Sequence, residues 1–142
     1  MRLMARNTIG FVNRTYSNYY VEHRDFNLAI ASMGDQINWE TQNYSYRIVK
    51  PMNPVSNLQS ELDLRFDMKI IIAQPKKSYL NRYLGIVYVR SIAWTSSSKD
   101  INPELLICES QKSLAQFQSY PKLAMPVITN DDIQCPPHYR RL

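Results

Sequence analysis

Residues 61–73 read E-L-D-L-R-F-D-M-K-I-I-I-A. Leu62, Leu64, Phe66, Met68, Ile70 and Ile72 fall on every second position, and Asp63, Arg65, Asp67 and Lys69 fill the gaps between them. A pleated strand sends alternate side chains to opposite faces, so this spelling gives one apolar face and one polar face. Wound into a helix, the same residues would spread their apolar groups all round the axis. The stretch therefore predicts a long β-strand with one side on a core, and the rest of the chain is read outward from it.

Downstream, Q-P-K-K-S at 74–78 ends that strand, and residues 79–83 suit a single helical turn. Residues 84–95 (L-G-I-V-Y-V-R-S-I-A-W-T) are nearly continuous in strand formers, as in a central strand covered on both faces. A polar connection at 95–100 leads to L-L-I-C at 105–108, a compact strand expected to run to Glu109. A short helix is expected over 110–118, with Leu114 and Phe117 inward. From Tyr120 onward, Pro121, Pro126, Pro136 and Pro137 predict an extended tail over 120–142 that wraps the surface, with Ile128 and Thr129 adding a short edge.

Upstream, residues 8–12 and 15–21 read as two short strands, the second rich in tyrosine. Residues 25–34 suit a short helix: Asp25 can cap it, Phe26, Ala29, Ile30 and Met33 share one side, and Gly34 can end it. Tyr44, Tyr46 and Ile48 alternate, so Tyr44–Val49 is expected as a strand, and the prolines at 51 and 54 make 51–57 a loop. Six or seven strands against two short helices predict a mainly β single domain over 1–142: an antiparallel β-sandwich or jelly-roll-like fold with one or two short helices.

The 142 residues carry a net charge of +5. Residues 1–73 hold eight basic and seven acidic side chains, and residues 100–142 hold four and five. Residues 74–99 hold five basic side chains (Lys76, Lys77, Arg82, Arg90, Lys99) and no acid, so the excess sits there. Such a segment either attracts anions or is a solvated surface with a lysine-blunted strand edge. No stretch approaches the ~20 apolar residues of a membrane span, and nothing after Met1 has the form of a secretory signal. With only Cys108 and Cys135, a reducing intracellular compartment, cytoplasm or nucleus, is expected.

Several chemistries find no support in the residues. Cys135-Pro136-Pro137-His138 has ligand-like spacing, with Cys108 and His23 to complete a tetrahedral set, but no second short-spaced pair exists, so no metal site is expected. No G-x-S-x-G turn and no phosphate-cradling glycine loop occur, and no cofactor, catalytic residue or small-molecule substrate is expected. Asp67-Met68-Lys69 with Asp63 on the same side could hold a divalent ion beside a phosphodiester, and it resembles the D/E-x-K half of restriction-type nucleases. Cross-strand charge pairing gives the same spelling.

Binding is the preferred function. Lys76, Lys77, Tyr79, Arg82, Arg90 and Lys99, with Arg140 and Arg141 in the tail, combine cations for phosphates with rings for stacking. Residues 82–109, a long strand, a polar connection and the L-L-I-C strand, resemble parts of small viral jelly-roll coat and movement proteins, and a viral matrix protein fits equally. The resemblance implies a non-enzymatic structural protein. It would self-associate, through an exposed edge strand, and bind nucleic acid or an anionic membrane surface through the basic segment. The alternatives are a metal-dependent nuclease using Asp63, Asp67 and Lys69, and an accessory protein that grips a host protein through its tyrosines.

Overall fold

The computed structural model describes residues 2–23, 37–49, 64–92, 103–113, 126–128 and 133–142. Helix α1 spans Arg2–His23, and seven strands follow: β1 Tyr44–Val49, β2 Leu64–Pro75, β3 Asn81–Ile92, β4 Glu104–Ser113, β5 Val127–Ile128, β6 Ile133–Gln134 and β7 Tyr139–Arg141. Five of them form one sheet in the order β1-β2-β3-β4-β7, with every pair antiparallel. β5 and β6 pair separately. The protein is mainly β and antiparallel, as its strand patterns predict. The small β5–β6 sheet brings Ile133 onto one face of the large one, which is compatible with a sandwich.

Register decides what each face carries. Tyr46 lies opposite Ala73, Ala73 opposite Tyr83, and Tyr83 opposite Glu109, so these side chains share one face. That face, with Tyr44, Ile71 and Val87, packs against Ala5, Ile9, Val12, Tyr16 and Tyr20 of α1. The helix residues recur at intervals of three and four, the spacing that lines one side of a helix. Tyr44 and Tyr83 meet edge to face with ring centroids 6.2 Å apart, and the Tyr44 hydroxyl donates to the Asn81 carbonyl at 3.0 Å. The opposite face carries Met68, Ile70, Ile72, Leu84, Ile86, Tyr88, Leu106 and Cys108.

A disulfide joins Cys108 on β4 to Cys135, just after β6. It ties the chain after β6 down onto that second face, and β7 then adds to the edge of β4 with Cys108 opposite Arg141. The bridge is one that two cysteines permit without requiring. It takes both sulfurs out of the Cys108, Cys135, His138, His23 metal set, and among the described residues no group of three or more His, Cys, Asp or Glu could hold a metal.

Two strand predictions match closely. β1 occupies Tyr44–Val49, and β2 begins at Leu64 and continues through the predicted segment to Pro75. The polar face expected of β2 is not wet where its side chains are described, since Ile71 and Ala73 are as buried as Ile70 and Ile72. The helix covers the side that alternation left for water. β3 is the central strand covered on both faces, with residues 80–88 all buried. It starts at Asn81, so residues 81–83 are strand and not a helical turn. β4 runs on to Ser113, past the Glu109 limit, because pairing with β3 and β7 holds its far end in the ladder. β5 places Val127 and Ile128 in the short edge expected in the tail.

The larger correction is at the start of the chain, where two strands were expected and one 22-residue helix is found. Thr, Asn, Ser, Val and Tyr are indifferent helix formers, but each costs no more than about 0.7 kcal/mol relative to alanine. Complete burial of a side chain the size of Val or Ile returns about 1.5–3 kcal/mol. Ile9 and Val12 are fully buried and Tyr16 and Tyr20 nearly so, and packing therefore outweighs propensity. The helix predicted at 25–34, the loop at 51–57, the connection at 95–100 and most of the helix at 110–118 lie outside the described residues.

Candidate interaction surface

The basic segment is divided among several local environments. Lys76 is exposed in the turn between β2 and β3, and its Nζ lies 2.6 Å from Glu40. The lysine, with a hydrogen bond from the Ser45 hydroxyl at 2.8 Å, holds the Glu40 carboxyl below its ordinary pKa. Lys77 is half-buried in the same turn, and Tyr79 is exposed there. Arg82 is buried. Its Nε donates to Gln74 at 2.8 Å and its Nη1 to the Tyr139 hydroxyl at 3.3 Å. The register slips at this point between β3 and β4, and the Arg82 amide, displaced from the ladder, donates instead to the Ser110 hydroxyl at 3.0 Å. Arg90 lies in β3 opposite Phe66, its side chain outside the described residues, as is all of Lys99.

Arg140 and Arg141 leave β7 in opposite directions. Arg140 pairs with Glu109, its Nε donating to Oε1 at 2.9 Å, and the Tyr83 hydroxyl donates to the other carboxylate oxygen at 2.5 Å. Glu109 is almost fully buried, and a guanidinium and a phenol offset the cost of burying its carboxylate. Arg141 is exposed. Of the eight predicted residues, then, Lys76 and Arg140 face carboxylates, Arg82 is spent inside the fold, and Lys77, Tyr79 and Arg141 reach or approach the surface at separate places. Of the nuclease set, Asp63 lies outside the described residues, Asp67 sits opposite Val89, and Lys69 sits half-buried opposite Val87.

A different arrangement gathers cations. Between α1 and β4 lies a groove of about 360 Å³ lined by Arg6, Arg14 and Arg141 together with Leu105, Leu142 and Asn13. The Leu142 amide donates to the Ile107 carbonyl at 2.9 Å, which fixes that residue beside β4. Asn13 is buried, its amide nitrogen donates to the Leu106 carbonyl at 3.2 Å, and its Oδ1 has no hydrogen-bond partner among the described residues. Arg14 lies back over Gly10, where an added Cβ would stand 3.2 Å from its guanidinium. Neither Arg6 nor Arg14 forms an ion pair with a described residue. The reading of 8–12 and 15–21 as two strands hid this groove, because it set Arg6 before the first strand and Arg14 in the turn between them, whereas one helix stacks Arg6, Gly10 and Arg14 along one side.

A model of the family described as "Type IV pilin-like G and H, putative" matches residues 3–136. No curated protein and no solved structure matches the chain. The family match overturns the viral coat, movement or matrix reading, which rested on residues 82–109 alone, and with it the nuclease alternative. A strand, a polar connection and a second strand recur in many folds, whereas this match takes in the helix, β1 to β6 and both cysteines. By that measure the chain belongs to the type IV pilin-like G and H family.

Proposed function

We propose that this protein is a non-enzymatic subunit that associates with copies of itself into a pilin-like polymer outside the reducing cytoplasm. The observation that carries the reading is the family match over residues 3–136. The disulfide between Cys108 and Cys135 supports the compartment, since such bridges persist in oxidising surroundings and are rare in the cytosol. Among the described residues no helix is long and apolar enough to cross a membrane.

The fold suits a subunit. A helix and a sheet locked by a shared core, with the chain after β6 tied down covalently, present a surface that keeps its shape when neighbours dock. Analytical ultracentrifugation of the full oxidised chain across micromolar to millimolar concentration tests the reading. Concentration-dependent growth beyond the monomer is expected. A monomer throughout that range would overturn it.

A further inference from the structure

The charges along α1 run against its own dipole. A helix carries partial positive charge at its N-terminus and negative charge at its C-terminus, so acids favour the first turn and bases the last. Here the first turn holds no acid, and Arg2 and Arg6 lie in the first two turns. Glu22 lies in the last turn with its side chain 74% exposed, its ion pair among the described residues being with its own neighbour His23 at 3.7 Å. Misplaced charges of this kind are unfavourable within one molecule. Between two molecules set end to end the same placement is attractive.

Resting on the self-association reading, we propose that the groove between α1 and β4 receives the last turn of α1 from a second copy of this chain, Glu22 pairing with Arg6 and Arg14. The groove supplies what that turn lacks. Arg6 and Arg14 are exposed and form no ion pair with a described residue. Leu105 and Leu142 beside them remain 39% and 44% exposed, and Val21, adjacent to Glu22, is 47% exposed. An apolar side chain next to a carboxylate thus meets two apolar side chains next to guanidiniums. The negative end of the helix dipole arrives with the carboxylate and adds to the attraction.

Distance sets the type of contact. Arg6 and Glu22 are 16 residues apart on one helix, about 24 Å at 1.5 Å per residue. A chain cannot close the pair on itself, and each copy offers one groove and one helix end. Antiparallel helices would fill both grooves at once and close a two-fold dimer, whereas copies set end to end make a head-to-tail contact that leaves a free groove and a free end on every dimer, the arrangement a polymer needs.

Sedimentation velocity on four samples tests this: the wild type, an Arg6→Ala/Arg14→Ala variant, a Glu22→Ala variant, and an equimolar mixture of the two variants. All three side chains are exposed, and a cooperative melt at or above the wild-type temperature, read by circular dichroism, checks that both variants fold. Each variant alone is expected to associate at least about tenfold more weakly than wild type. The mixture is expected to form a one-to-one dimer and stop there, because the arginine variant keeps a helix end and the Glu22 variant keeps a groove. Wild type that associates alongside variants that associate equally well overturns this contact and leaves self-association standing. Loss in the arginine variant alone assigns the groove to some other acidic group and overturns the role of Glu22. Wild type that stays monomeric overturns both readings.

Discussion

Gly85 sits where helix and sheet approach closely. An added Cβ there would stand 2.4 Å from Ile9 Cγ2, 2.6 Å from Ile71 Cγ2 and 2.8 Å from Asn13 Oδ1. The two methyls belong to β-branched side chains with little rotamer freedom, so relief requires the helix to lift. Gly85→Ala is expected to lower stability by about 1–3 kcal/mol. Gly10 is the reverse case: its nearest obstacle is the far end of the Arg14 side chain at 3.2 Å, which can swing aside. There alanine replaces glycine inside a helix, and Gly10→Ala is expected to raise stability by about 0.5–1 kcal/mol. Urea denaturation of both variants checks the opposite signs. Tyr16 adds a dependence on pH. Burial pushes its phenol up from 10.0 to about 12, and burial also raises Tyr46 against a smaller opposing hydrogen bond from Thr8. Between those values for Tyr16 the unfolded chain gives up its proton and the folded chain keeps it, so the unfolded state binds fewer protons and stability falls as pH rises. The loss for Tyr16 approaches roughly 2–3 kcal/mol once its titration is complete. A melting temperature unchanged between pH 9 and pH 11.5 would contradict this.

Among the elements, the segment after β6 depends most on a covalent tie. β6 has two residues and β7 three, too short to hold by ladder bonds alone, but the disulfide closes a span of 27 residues between β4 and the end of β6. Restricting the unfolded chain to a loop of that size contributes about 3 kcal/mol. Reduction is expected to lower the unfolding free energy by about 2–4 kcal/mol, read from denaturation midpoints with and without a reductant. Equal midpoints would mean that the buried contacts of Ile133 and the Glu109–Arg140 pair hold the segment unaided. The sequence carried no sign of this tie, since two cysteines far apart fit paired and unpaired states alike. It was more informative about strands. Alternation at Tyr44, Tyr46 and Ile48 and the unbroken run after Leu84 mark β1 and β3, because side-chain period reflects burial directly. The same alternation misjudged β2, where Ile71 and Ala73 are buried beneath α1. Missing the helix caused that error. Its apolar line at Ile9, Val12, Tyr16 and Tyr20 was present in the sequence, but strand-favouring residue types drew the reading toward β. The groove was lost with it, and two of the cations that stood out at 74–99 have partners that only folding reveals, Glu40 for Lys76 and Gln74 and Tyr139 for Arg82.

For the whole molecule, charge acts on assembly at two ranges with opposite sign. Each copy carries +5, and two such bodies repel over their full separation. At 10 mM salt the screening length is about 30 Å, longer than the roughly 24 Å between Arg6 and Glu22 along one helix, so repulsion between the two bodies is little screened. At 150 mM it is about 8 Å, and repulsion between the bodies is mostly screened while carboxylate and guanidinium in contact still attract. At 1 M it is about 3 Å, comparable to the contact itself, and the ion pairs weaken as well. Association is therefore expected to strengthen from 10 to 150 mM salt and to weaken again toward 1 M. Weight-average sedimentation coefficients at a fixed protein concentration across that series give the curve. A steady fall would mean that contact attraction dominates even at low salt, and a steady rise would mean that the interface is apolar and the arginines of the groove take no part in it. In the Arg6→Ala/Arg14→Ala variant the low-salt rise should persist, with a smaller repulsion to screen, while the high-salt fall should flatten, because the pairs that high salt would weaken are already gone.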